Sequence, residues 1–146
     1  MKSMPIIAAL LLAGCASTTL NKVRYSSYQL GVERTATIGA PFLVDQKGEV
    51  ATVKQWVGLL NSPNGWAIRE QYSADYLRRE LLYSGRSGST VEITYREFRG
   101  GLAAQPFYQN LKYDLAASRQ IRFQNFTIDV LDADNRSIRY RIVADR

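Results

Sequence analysis

The chain has 146 residues, enough for one domain with its own core, and a formal charge of +6 that is carried mostly by arginine. It contains no histidine and one cysteine, Cys15. That composition removes the usual general base, Ser-His and Cys-His nucleophile pairs, histidine metal ligands, thiolate cages and intrachain disulfides. The basic balance favours anionic partners.

In chain order, residues 1–14 read as a signal peptide. Lys2 gives a positive start, and the apolar run Ile6 to Leu12 is too short to span a bilayer as a helix. Small residues follow, and Leu12-Ala13-Gly14-Cys15 resembles a bacterial lipobox. The resemblance implies diacylglycerol on the Cys15 sulfur, cleavage before Cys15 and acylation (palmitate) of the new amino group. Two or more acyl chains, at about 0.8 kcal/mol per buried CH₂, would hold the protein on a membrane. Ala16 stands where an inner-membrane retention signal would have Asp, so the same resemblance implies the outer membrane of a Gram-negative cell, facing the periplasm. Residues 15–33 are polar and weakly patterned, and are expected to be the acylated cysteine with a flexible tether. Val23 to Leu30 could instead pair as an edge strand.

The β-rich domain is expected over 34–146. Thr35 to Val44 are strand formers broken by Gly39-Ala40-Pro41, and Gln46 to Glu49 form a turn. Val50 to Leu60 suggests a strand, Asn61-Ser62-Pro63-Asn64-Gly65 a turn, and Trp66 to Tyr72 a further strand. Ser73 to Ser84 fits either a short helix capped by Ser73 or a strand. The clean alternation of Ser89 to Phe98 favours a hairpin across a loop at Gly85-Arg86-Ser87-Gly88, with at most a helical turn near Asp75. Arg99 to Gln105 reads as a loop. Phe107–Leu115, Ile121–Phe123, Phe126–Leu131 and Ile138–Ile142 continue as short strands with turns between them. One-sided alternation at roughly ten-residue spacing is the pattern of an antiparallel sandwich or barrel. The fold class is therefore all-β.

No motif carries catalysis. Asp132-Ala133-Asp134-Asn135-Arg136 begins like a calcium loop, but Arg136 at the fifth position and Ser137 at the sixth oppose Ca²⁺, leaving a hairpin turn. The glycines at 85 and 88 lack the ending of a phosphate-binding loop. Glu70, Glu80, Glu92, Glu97, Asp114 and Asp129 supply carboxylates, mostly at outward strand positions. Ser26, Ser27 and Ser62 lack a nucleophile-elbow setting. Tyr95 to Arg99 reads as a charged strand with cross-strand pairs. Candidate binding residues are Arg136, Arg139 and Arg141, with Arg139 and Arg141 on one face, and Trp56 and Trp66, which could line an apolar pocket.

Glu80 to Gly85, Glu92 to Phe98, Tyr113-Asp114-Leu115 and Ile138 to Ile142 are similar to a family of uncharacterised Gram-negative envelope lipoproteins. That similarity covers under half of the chain and implies a periplasmic β domain without supplying an activity. The reading that follows is a non-enzymatic, outer-membrane-anchored envelope interaction or assembly component with no cofactor. Its expected partners are the membrane, through the N-terminal lipid, and an envelope protein or an anionic glycan or lipid, with no nucleic acid. The alternatives are a module binding a small glycan or lipid and, third, a hydrolase.

Overall fold

A computed structural model describes residues 17–25, 27–100 and 107–145. The expected signal peptide, Cys15 and most of the expected loop at 99–105 lie outside the described residues. Eleven strands and no helix occur among those described: β1 (Ser17–Val23), β2 (Glu33–Thr37), β3 (Pro41–Lys47), β4 (Val50–Trp56), β5 (Trp66–Tyr72), β6 (Leu77–Ser87), β7 (Thr90–Arg99), β8 (Phe107–Asp114), β9 (Gln120–Phe123), β10 (Phe126–Ala133) and β11 (Ser137–Asp145). They form three antiparallel sheets, in the orders β1-β4-β5, β2-β11-β10-β9 and β3-β6-β7-β8. The two four-stranded sheets pack face to face, and neither closes into a barrel.

Alternation builds the core. Val91, Ile93 and Tyr95 of β7 turn inward with Leu81 and Tyr83 of β6. From the facing sheet come Ile121, Phe126, Ile128, Val130, Ile138, Tyr140 and Ile142, all buried. Edge-on aromatic contacts join the layers: Phe42 meets Tyr140 at 5.2 Å between centroids, and Tyr28 meets Phe126 at 5.2 Å. A fully buried Val, Leu, Ile or Phe contributes about 1.5–3 kcal/mol, so this single layer of contacts dominates stability. Polar ties lock the layers in register. Arg86 Nη1 donates to the Ala133 carbonyl at 2.8 Å, and Arg79 Nη1 donates to Gln124 Oε1 at 2.7 Å.

The third sheet is an arm of this sandwich. Lys47 pairs with Leu77, and Val50 pairs with Tyr72. Strands β3 and β4 on one side, and β5 and β6 on the other, are thus one long hairpin with a bend in the middle. At the bend, Ser73 Oγ accepts from the Glu49 amide at 2.9 Å, and the Ser73 amide donates to the Glu49 carbonyl at 3.0 Å. Gly48 sits at φ +72°, where an added Cβ would lie 2.9 Å from the Tyr76 Cα, so the crossing strands need a residue without a side chain. Seven residues of β4 carry the arm roughly 20 Å past the bend.

Several sequence expectations change. The expected tether contains β1, which pairs with β4 from Ser17↔Gln55 to Val23↔Val50. Its side chains are all exposed, so it has no apolar alternation to reveal it. Ser27, farther along the same stretch, holds the outer edge of β3: its amide donates to the Val44 carbonyl at 3.1 Å and its Oγ accepts from the Val44 amide at 2.8 Å. The folded part therefore begins well before Arg34. Of the expected loop at 85–88, Gly85 to Ser87 are instead strand. A bulge between Tyr83 and Gly85 shifts the ladder, which continues to Ser87↔Thr90, leaving Gly88-Ser89 as a two-residue turn. Strand β4 stops at Trp56 because Val57 and Gly58 turn their amides to the Gly65 carbonyl.

Candidate functional site

Trp56 and Trp66 end β4 and begin β5, paired directly across the hairpin. Their rings meet edge to face, 5.3 Å between centroids at 76°. Lys54 Nζ lies 5.2 Å from the Trp66 ring. The connecting loop is held by its own hydrogen bonds. The Gly65 amide donates to the Ser62 carbonyl at 2.9 Å, Asn61 Nδ2 donates to the Val57 carbonyl at 2.8 Å, and Ser62 Oγ donates to the Trp66 carbonyl at 2.8 Å. This frame leaves Leu59 69% and Leu60 fully exposed at the apex, with Ile68 69% exposed beside the tryptophans. Isolated exposed leucines are ordinary, whereas exposed apolar side chains gathered at one hairpin end are a candidate contact surface. Trp56 and Trp66 are thus brought together, on an outward tip.

At the bend a cleft of about 300 Å³ opens between arm and sandwich, lined among others by Tyr25, Gln46, Glu70, Tyr72, Tyr76 and Arg78. Tyr72 and Tyr76 meet edge to face at 4.7 Å, and the Arg78 guanidinium lies 5.7 Å from the Tyr25 ring. Tyr72 Oη donates to Glu70 Oε2 at 2.6 Å, and this bond, with burial behind it, pushes the phenol up to about 12. Beside the cleft, Glu80 is 3% exposed on the central strand β6. Arg78 Nε donates to its Oε1 at 2.7 Å, and Arg96 Nε donates to its Oε2 at 3.0 Å. Two guanidiniums thus neutralise one buried carboxylate, the arrangement a buried charge requires. Periodicity places Glu80 at an outward position and gave no sign of its burial, which comes from β6 lying between β3 and β7.

The arginine strip of β11 is partly neutralised. Inward Ile138, Tyr140 and Ile142 leave Arg139 and Arg141 outward, as the alternation predicts. Arg139 is exposed, whereas Arg141 is half-buried and Arg141 Nη2 lies 3.4 Å from Asp129 Oδ2. Arg136 is exposed in the β10–β11 turn. There Asp134 Oδ1 accepts from the amides of Arg136 and Ser137, each at 2.7 Å, which holds the Asp134 carboxyl below its ordinary range. The turn consumes the carboxylate that a calcium loop would have offered.

The other carboxylates are similarly engaged. Glu97 accepts from Tyr95 Oη and from Arg99 Nε, Glu92 faces Lys112 at 3.1 Å, and Asp114 Oδ1 accepts from the Ala116 amide at 2.9 Å. A wider cleft of about 630 Å³ lies along β2 and the start of β3, lined by Tyr25, Arg34, Thr37, Phe42 and Tyr140 among others. Neither this cleft nor the one at the bend is lined by Trp56 or Trp66. Among the described residues, no helix is long and apolar enough to cross a membrane.

No family model, curated protein or solved structure matches the chain. The class is set by the fold: an all-β antiparallel sandwich extended by a hairpin arm.

Proposed function

We propose that the protein is a lipid-anchored component of a Gram-negative cell envelope, held at the outer membrane on its periplasmic side and acting by interaction or assembly rather than by catalysis. The observation that carries this reading is the string Leu12-Ala13-Gly14-Cys15, with the only thiol of the chain, directly ahead of the first strand. Anchoring raises the effective concentration of the domain near envelope partners. The carboxylates tied into ion pairs and turns support a role without acid–base chemistry. The partner would be an envelope protein or an anionic glycan or lipid meeting Arg136 and Arg139.

Labelling with radioactive palmitate tests the anchor. The wild-type chain should take up label and float with membranes, and Cys15→Ser should do neither. Equal labelling of both refutes the reading.

The cleft at the bend favours a second reading, a module binding a small glycan or lipid. Paired tyrosines, edge to face beside an arginine, suit a sugar or an anionic head group. Glycan-array binding that is lost in Tyr72→Ala and Tyr76→Ala would support it.

A further inference from the structure

We propose that the tip of the hairpin arm is a second membrane contact, inserting into the surface of the bilayer that carries the N-terminal lipid. The inference rests on the anchored reading for its orientation, and on the structure for the tip.

Three observations converge. The first is register. Ser17 pairs with Gln55, one residue from Trp56, so β1 starts at the tip end of the arm rather than at the sandwich end. Cys15 lies two residues upstream, and covalent geometry keeps its Cα within about 7 Å of that of Ser17. An acyl chain on Cys15 therefore enters the bilayer beside the Trp56–Trp66 pair. The second is shape and chemistry. Leu59 and Leu60 project from the apex with the two tryptophans and Ile68 behind them. Leucine partitions into acyl chains, and tryptophan prefers the headgroup level just above.

The third is charge. Residues 50–69 contain Lys54 and Arg69 and no carboxylate, whereas Lys22, at the bend end of β1, lies 3.5 Å from Glu49 Oε2. Lys54 and Arg69 are exposed. Cations behind an apolar tip match anionic phospholipid head groups. The loop hydrogen bonds hold the tip ready, so insertion orders little new chain. A lipid anchor alone would leave the domain free to swing. Two contacts at one end of sheet β1-β4-β5 fix its tilt and hold the sandwich, with the cleft at the bend, away from the surface.

The chain contains two tryptophans, Trp56 and Trp66, so tryptophan fluorescence, excited at the red edge where its nine tyrosines do not absorb, reports the tip alone. The test places the protein on vesicles of phosphatidylethanolamine and phosphatidylglycerol, with and without brominated acyl chains. Brominated lipid is expected to quench most of the emission, with a blue shift. The double variant Leu59→Asp, Leu60→Asp should lower that quenching about tenfold while flotation with vesicles persists. Emission quenched by aqueous acrylamide but not by brominated lipid, in protein that floats, overturns the tip and leaves the anchor intact. Shielding from acrylamide that rises with protein concentration without lipid quenching overturns it in favour of a second copy. Protein that takes no palmitate label yet shows lipid quenching overturns the anchor and leaves the tip standing. Absence of both label and lipid quenching overturns both.

Discussion

Tyr83, wholly buried at the centre of the core, donates its hydroxyl hydrogen to the Asp134 carbonyl at 2.6 Å and so ties β6 to the β10–β11 turn. Burial pushes the phenol up from its ordinary value, with nearby Asp134 adding to it. The ring fills the space between the sheets, and the hydroxyl fixes the turn. Tyr83→Phe keeps the ring and loses the bond, which should cost about 1 kcal/mol in urea denaturation, whereas Tyr83→Ala should cost about 3–5 kcal/mol. Equal costs for the two would mean the hydroxyl contributes nothing.

Glu80 gives the sharper test of a buried charge. Its side chain is 4% exposed between Arg78 and Arg96. Glu80→Gln preserves shape and leaves two guanidiniums facing a neutral amide, so a loss of about 3 kcal/mol is expected. Arg96→Ala alone should cost less, because Arg78 remains on the carboxylate. A double-mutant cycle across Arg78 and Arg96 measures how the two share it.

The individual strands of the sandwich could be followed in the sequence wherever one face is wet and the other dry. Strand β5 begins and ends where Trp66 to Tyr72 suggests, and β7, β10 and β11 show inward Val91-Ile93-Tyr95, Phe126-Ile128-Val130 and Ile138-Tyr140-Ile142. Strand β1 could not be seen, because a strand exposed on every residue has no period-two signal and owes its existence to the β4 edge. The bulge at Ser84 hid the end of β6 behind a glycine that looks like a loop residue. The candidate site was legible in its residues and not in its geometry. Trp56 and Trp66 stand out by type, but only hairpin register turns them from pocket lining into a paired tip. Charged residues such as Arg78, Glu80 and Arg96 read alike whether solvated or buried, and topology decides between the two.

Titration should weaken the fold at both extremes. The folded Tyr72 is raised from 10.0 to about 12, so its share of stability is complete below pH 10 and is lost as pH rises towards 12. Buried Tyr83 and Tyr140 are raised as well and act in the same direction. In acid the sign reverses. Hydrogen bonding by Tyr95, more than the neighbouring Arg99, holds the Glu97 carboxyl below its ordinary 4.5. Its contribution is present above that value and fades as pH falls through the lower folded one. Denaturation midpoints across pH should fall less steeply on the alkaline side in Tyr72→Phe and less steeply on the acid side in Glu97→Gln. Unchanged profiles in both variants would contradict these assignments.

Gly65 controls the tryptophan pair. Its φ is +74°, and an added Cβ would come within 2.1 Å of the Trp56 ring. Gly65→Ala must both strain the backbone and displace that ring. The expected result is loss of the near-ultraviolet circular dichroism of the pair, and destabilisation of about 1 kcal/mol or more. A spectrum identical to wild type would show that Trp56 does not rest on Gly65.

Leu20 interrupts β1. Thr19 opposes Val53 and Asn21 opposes Thr52, so Leu20 is an extra residue with no partner across the ladder. Strand β1 is also outermost in its sheet, where unpaired amides and carbonyls could seed growth by another chain. An inserted residue bends that border and spoils the straight template that fibril-like stacking needs. The same irregularity therefore keeps neighbouring copies of the chain from zipping together along this border.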